Sequence, residues 1–294
     1  MDKKTQKTIT IGVVLAVALA AVSYAVWSSG SGEDKLQFGY VAWDGEIAST
    51  NVLTLVLEEA GFGIEMVNVD PGLLYQGLAN GDLDFTTSAW LPVTHSGYWN
   101  SYGDDIDRVS TNLEGCTIGL AVPYYVYESG VVSIEDLNER KAQFDSKIYG
   151  IDAGAGVTIA TEEAIESYGL DYDLVTSNSA MMFTQLRSAY SDEEWIVVTL
   201  WTPHWAFERW DLVMLEDPEG VYGGVEHVET LARQGFQEEN PEAYAIIERF
   251  NWTQVDIQSV MSDIADGMSE KEAAQKWIDA NRGTVDYWIT GVAN

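Results

Sequence analysis

The 294-residue chain is poor in cysteine, in histidine and above all in positive charge. One cysteine, Cys116, excludes an intramolecular disulfide, a CxxC motif and a cysteine-rich metal site. It stands in the apolar run "CTIGLAV", where a thiol is expected to act as a small buried hydrophobe. Fifteen lysines and arginines stand against 47 acids, a formal charge of −32. Such a surface repels phosphate backbones, which excludes nucleic acid as a partner. The acids are spread along the chain rather than gathered in a tail, so they form a solvated shell. An evenly acidic shell suits salty surroundings, where screening removes the self-repulsion. There is no GxSxG, HExxH, P-loop or paired cysteine nucleophile, and an enzyme is not expected. Neither a metal nor a cofactor is implied: His95 and His204 have no sequence-local partner ligand.

What is present begins at the N-terminus. Lys3, Lys4 and Lys7 precede an uncharged run from Ile9 to Trp27, "ITIGVVLAVALAAVSYAVW". A basic start before a long apolar segment marks an export signal, and at ~20 residues it is also long enough to span a bilayer. "SYA" at Ser23–Ala25 offers a weak cleavage site, and no cysteine follows for a lipid anchor. Residues 1–33 are therefore expected to be a signal or membrane anchor plus the linker "SSGSG", with the body extracytoplasmic.

From residue 35 on, short apolar runs alternate with amphipathic stretches. "LQFGYVAW", "GIEMVNV", "DFTTSAW", "CTIGLAVPYYV", "KIYGID", "YDLVTS" and "EWIVVTLW" predict strands. "EIASTNVLTLVLEEAG", "PGLLYQGLANG", "GVTIATEEAIESYG" and "SAMMFTQLRSAY" predict helices. This alternation predicts an α/β protein with mostly parallel sheets in two lobes. The stretch before Cys116 reads as irregular and the last seventy or so residues as wholly helical, with His227 on a helix surface. Thr253 before Asp256 and Ser269 before Glu272 predict two capping boxes.

Three predicted strands end on tryptophan, at Trp43, Trp90 and Trp201, and a fourth runs into the turn "AGAG" that opens a helix. Ligands of α/β sheets bind beyond the carboxyl ends of parallel strands. A quaternary ammonium donates no hydrogen bond, so a protein holds it with aromatic faces, tryptophan being the best. At the opposite pole, the free N–H groups at Gly156 and Val157 suit a carboxylate. His95 and His204, shortly after Trp90 and Trp201, are each able to donate to it. A cationic head with a carboxylate tail describes a betaine. The plain alternative is packing, and Trp205, Trp210, Trp252, Trp277 and Trp288 are read that way.

At these residues the chain resembles a known family. "VAWDGEIAST", "DFTTSAWLPVTH", "YGIDAGAGVT" and "LWTPHW" are similar to the glycine-betaine-binding proteins of ABC importers, the OpuAC type. The resemblance implies a two-lobed, hinged fold of the type II periplasmic-binding-protein kind, each lobe a mostly parallel sheet flanked by helices, with ligand in the interlobe cleft. It implies an ammonium cage of Trp43, Trp90 and Trp201 and a carboxylate site of His95, Gly156 and Val157, with His204 a further candidate. Lobe 1 is expected to comprise 34–115 and about 212–294, and lobe 2 to comprise 116–211. The expected partners are a betaine-type solute and the permease and ATPase subunits of an importer, with a membrane reached through the N-terminal segment and the chain acting as a monomer. Choline, carnitine, proline betaine or a dimethylsulfonium solute, or a chemosensory role for the same module, stay open.

Overall fold

The computed structural model describes residues 35–293. The expected signal or anchor lies outside these residues. Among the described residues, no helix is long and apolar enough to cross a membrane.

The chain opens with β1 (Leu36–Tyr40), α1 (Asp44–Glu59), β2 (Ile64–Asn68), α2 (Pro71–Asn80) and β3 (Phe85–Leu91). β1 pairs in parallel with both β2 and β3. Proline in the first turn starts α2, and Gly81, at φ 80°, stops it in the left-handed conformation open to glycine. Every residue of β3 is buried. Phe38 of β1 and Phe85 of β3 pack with ring centroids 4.4 Å apart.

After α3 (Ser96–Tyr102) comes β4 (Ile106–Pro123), 18 residues long. Its first part, "IDRVSTNLEG", has no apolar alternation, which is why the sequence reads as irregular there. It is a strand because a partner supplies its ladder: Ile106 to Cys116 pair antiparallel with β9 (Glu226–Arg233). The sequence reading of a wholly helical end is therefore wrong at its start. "EHVETLAR" is a strand between β3 and β4, and His227 is a strand residue bonded to Glu229 at 2.7 Å, not a helix-surface one. Val228 and Thr230, both buried, are β-branched residues that favour a pleated strand.

From Thr117 to Pro123 the same β4 turns to different partners, β7 (Val198–Thr202) and β8 (Leu212–Met214), both antiparallel. β5 (Lys147–Gly150) lies between β7 and β6 (Asp173–Thr176), parallel to each. α4 (Gly156–Ser167) and α5 (Ser179–Ser191) make the crossovers of this half. The strand order is β2-β1-β3-β9-β4-β7-β5-β6, with β8 on β4. Two parallel trios are thus joined through antiparallel β9 and β4, a more mixed arrangement than the alternation of elements predicts.

The C-terminal helices α6 (Pro241–Arg249), α7 (Gln254–Ala265), α8 (Glu270–Ala280) and α9 (Arg282–Thr290) return to α1. Both expected capping boxes form, Thr253 with Asp256 and Ser269 with Glu272. Trp252, Trp277 and Trp288 pack on one another, Trp277 and Trp288 stacked at 5.6 Å.

The change of partners along β4 occurs at a bulge. Gly115 sits there at φ 77°, and Gln254 of α7 donates to the carbonyls of Glu114 and Gly115 at 3.0 and 2.7 Å. A Cβ on Gly115 would meet that amide nitrogen at 2.6 Å. Gly115→Ala is expected to lower stability by about 1–2 kcal/mol through left-handed strain. Urea denaturation checks this, and unchanged stability would show that the bulge tolerates a side chain.

Candidate functional site: a tryptophan-lined cleft

Trp43 follows β1 and is the N-cap residue of α1, Trp90 lies in β3, and Trp201 lies in β7. All three are buried and line one cavity. His95, Gly156 and Val157 line it too, so six of the seven residues singled out in the sequence meet there. His204 does not line it. It backs Trp201 edge-on at 4.8 Å, stacks on Phe183 at 4.9 Å, and its Nδ1 accepts the Ala206 amide at 3.1 Å. Its place is behind the wall.

Two indoles are held by carboxylates. Trp43 donates to Asp152 at 3.2 Å and Trp90 to Glu46 at 2.9 Å. Glu46 is buried, lines the cavity, and stands three residues after Trp43, one helical turn along the same face. Burial pushes its carboxyl up to about 7 against the pull of the Trp90 bond.

His95 is oriented by its own loop. Its Nδ1 accepts the Trp90 amide at 3.1 Å, with the Tyr75 hydroxyl 3.2 Å away. The proton is therefore assigned to Nε2, which is buried and unpartnered among the described residues. Burial brings His95 down to about 3, so it is a neutral donor at ordinary pH. Across the cavity, Thr158 and Ile159 spend their amides on the carbonyl of Ala155. That leaves Gly156 and Val157, at the positive end of α4, as donors without an acceptor among the described residues.

The cleft walls touch. A Cβ on Gly156 would stand 2.4 Å from the Thr94 carbonyl oxygen, so only glycine allows α4 to come this close. The Thr94 loop is itself fastened by buried Glu226, which accepts the amides of Val93 and Thr94 at 2.5 and 2.8 Å and the Thr94 hydroxyl. Tyr98 donates to the Gly154 carbonyl at 2.8 Å. Asp44, in the first turn of α1, accepts from the Trp205 indole at 2.7 Å and the Ser179 hydroxyl at 2.8 Å. His204 Nε2 faces the same carboxylate at 3.6 Å. Burial pushes Asp44 up, but bonds and charge from His204, then Trp205 and Ser179, outweigh it and hold the carboxyl at about 2. These contacts bind the β1–β3 half to the β5–β7 half. Trp205, expected to be ordinary packing, is thus also a donor across the cleft.

Asp44, Glu46, Thr94 and Glu226 escaped the sequence reading. Acids in a first helical turn normally signify no more than a favourable dipole, and nothing local distinguishes Asp44. The i, i+3 relation of Glu46 to Trp43 was the available signal.

The sequence profile of the substrate-binding domain of ABC-type glycine betaine transport systems, the OpuAC family, matches residues 34–280. The chain belongs to this family. As a substrate-binding domain of the OpuAC family it is not an enzyme, and its fold is the two-lobed type II periplasmic-binding-protein fold. It is 45% identical over 161 residues to a glycine betaine/carnitine transport binding protein of Listeria monocytogenes, the match covering 54% of this chain and 53% of that protein. The chain thus spans about half the length of that relative. A lactococcal OpuAC, closed on glycine betaine, superposes with a TM-score of 0.83 at 41% identity over 88% of this chain and 100% of that one. A choline-binding protein of an ABC transporter, in complex with choline, gives 0.82 at 27% identity over 88% and 92%.

Two outcomes test the cleft contacts. Asp44→Asn is expected to lower stability by about 1.5–3 kcal/mol, because an amide cannot accept from all three donors. The contribution of Asp44 is complete above the ordinary carboxylate value of 3.8 and is lost as pH falls through about 2. Thermal melts at neutral and acid pH should therefore converge for the two proteins, and parallel curves would sink the assignment. Gly156→Ala should separate the walls, and small-angle scattering is expected to show a wider molecule; an identical profile would mean that Thr94 simply moves aside.

Proposed function

We propose that the protein captures glycine betaine, or a closely related quaternary ammonium solute, outside the cytoplasm and delivers it to the permease and ATPase of an ABC importer. In this reading the faces of Trp43, Trp90 and Trp201 surround the ammonium head by cation–π attraction. The Nε2–H of His95 and the amides of Gly156 and Val157 hold the carboxylate, and His204 buttresses Trp201. The first lobe comprises 34–115 and about 212–294, the second 116–211, and the N-terminal segment exports or anchors the body.

One observation carries the reading: a single cavity is lined by tryptophans from three strand ends and by three N–H donors with no acceptor among the described residues. Aromatic faces answer a charge that cannot hydrogen-bond, and clustered donors answer an anion. A solute with both ends satisfies the whole lining. The residues come from both halves, so the site is complete only when the cleft is shut, which couples binding to the state an importer recognises. Choline is the second reading, favoured by the likeness to a protein bound to choline. Its hydroxyl, being neutral, makes poorer use of three donors than a carboxylate does.

Titration calorimetry of the purified chain with glycine betaine, proline betaine, carnitine, choline and the dimethylsulfonium analogue tests the reading. Glycine betaine is expected to bind best and to change the tryptophan fluorescence, while Trp90→Ala weakens it by at least ~1–2 kcal/mol. No heat and no fluorescence change at millimolar ligand would overturn the assignment.

A further inference from the structure

Glu46 belongs to neither half of the proposed betaine site. It is a carboxylic acid, 4% exposed, in the wall of a cavity otherwise made of neutral rings, aliphatic groups, Thr94 and N–H donors. Its bond to the Trp90 indole fixes one ring of the cage, which explains an acceptor there but not an ionisable one. An amide oxygen would hold the indole equally well, as backbone carbonyls hold side chains elsewhere in the chain.

We propose that Glu46 is a charge-selecting residue of the cage: its carboxylate adds to the preference that the tryptophan faces give a cationic head over a neutral one of the same shape, and cation entry drives off the proton carried by the empty site. This rests on the quaternary-ammonium reading given above. In shape, three aromatic faces fit a tert-butyl group almost as well as a trimethylammonium group, because the two have nearly the same volume. A full negative charge in the wall separates them further than the rings do, since Coulomb attraction is strong where water is excluded.

The surroundings identify Glu46 as the group that changes its proton. Asp44, in the same helical turn, is held ionised at about 2 and opposes a second charge beside it. From β4 comes Cys116, whose thiol is pushed up to about 12 by burial and by neighbouring carboxylates, Glu46 first among them. From the loop after β3 comes His95, neutral down to about 3. Behind Glu46 lies a second cavity, bordered by Asn112, Trp252 of the segment before α7 and Ile257 of α7, with no other ionisable side chain in its lining. Near neutral pH neither Asp44, Cys116 nor His95 titrates, and Glu46, raised to about 7 by burial, does. A cation in the cavity favours its charged form and lowers it. The sign follows: the empty protein binds more protons than the filled one, so affinity rises with pH and levels off above about 7, where the empty site is already ionised.

The experiment is titration calorimetry of the full chain with glycine betaine between about pH 5.5 and about 8.5, in buffers of different ionisation enthalpy. The expected result is an affinity that falls up to about tenfold per pH unit below neutrality, with protons released to the buffer on binding. Glu46→Gln keeps the acceptor for Trp90. It is expected to bind betaine at least about fivefold more weakly at high pH, to lose the pH slope and proton release, and to narrow by a similar factor the preference for betaine over tert-butylacetate, which has the same shape without the positive charge. Glu46→Asp, which keeps the charge, should keep the slope even if packing suffers, and thermal melts of both variants confirm folding. Betaine binding that is flat with pH in the native protein, or a slope that survives in Glu46→Gln, overturns the role of Glu46 and leaves the betaine reading intact. Absence of binding by any quaternary ammonium at every pH overturns both.

Discussion

The approach of the Thr94 carbonyl to the α-carbon of Gly156 is the constraint on which the cleft depends. It brings a loop fastened by Glu226 against the start of α4, and it places His95 and the amides of Gly156 and Val157 in the lining of one cavity. A side chain at Gly156 would hold these surfaces apart and leave the donors facing separate pieces of solvent. The three tryptophans would then form part of an open groove, where water weakens cation–π attraction. Chemistry at this site is therefore set by a backbone distance before it is set by any side chain.

Two carboxylates in one helical turn show how environment decides charge. Asp44 has donors on its surface, from Trp205, Ser179 and His204, and remains ionised far into acid. Glu46, two residues on, has one indole donor and an apolar setting, and burial dominates. The first is consumed in holding the halves together. The second is left with an unsettled proton beside the cavity, which is the condition that a bound cation is able to change.

The strand ends were legible because tryptophans at Trp43, Trp90 and Trp201 interrupt clear apolar runs, and "AGAG" is a local signal for a tight turn into a helix. The capping boxes at Thr253 and Ser269 were legible because they are local. The first part of β4 and all of β9 were not. Each is stabilised by pairing with the other across more than a hundred residues, and the short-range pattern carries no trace of that partner. Thr94 and Glu226 were hidden for the same reason, lying 132 positions apart in the chain yet in hydrogen-bond contact. Asp44 was visible but ambiguous, because its partners come from α5 and the turn after β7.

β4 passes unbroken through both halves and exchanges one set of ladder partners for another at Gly115. The two ladders share this strand alone, and the side-chain contacts across the cleft rim are few, from Asp44 to Trp205 and Ser179, Trp43 to Asp152 and Tyr98 to Gly154. Under the proposed reading, a solute in the cavity would have only these few rim contacts to add to, so a handful of polar and aromatic interactions would weigh heavily in holding the cleft shut.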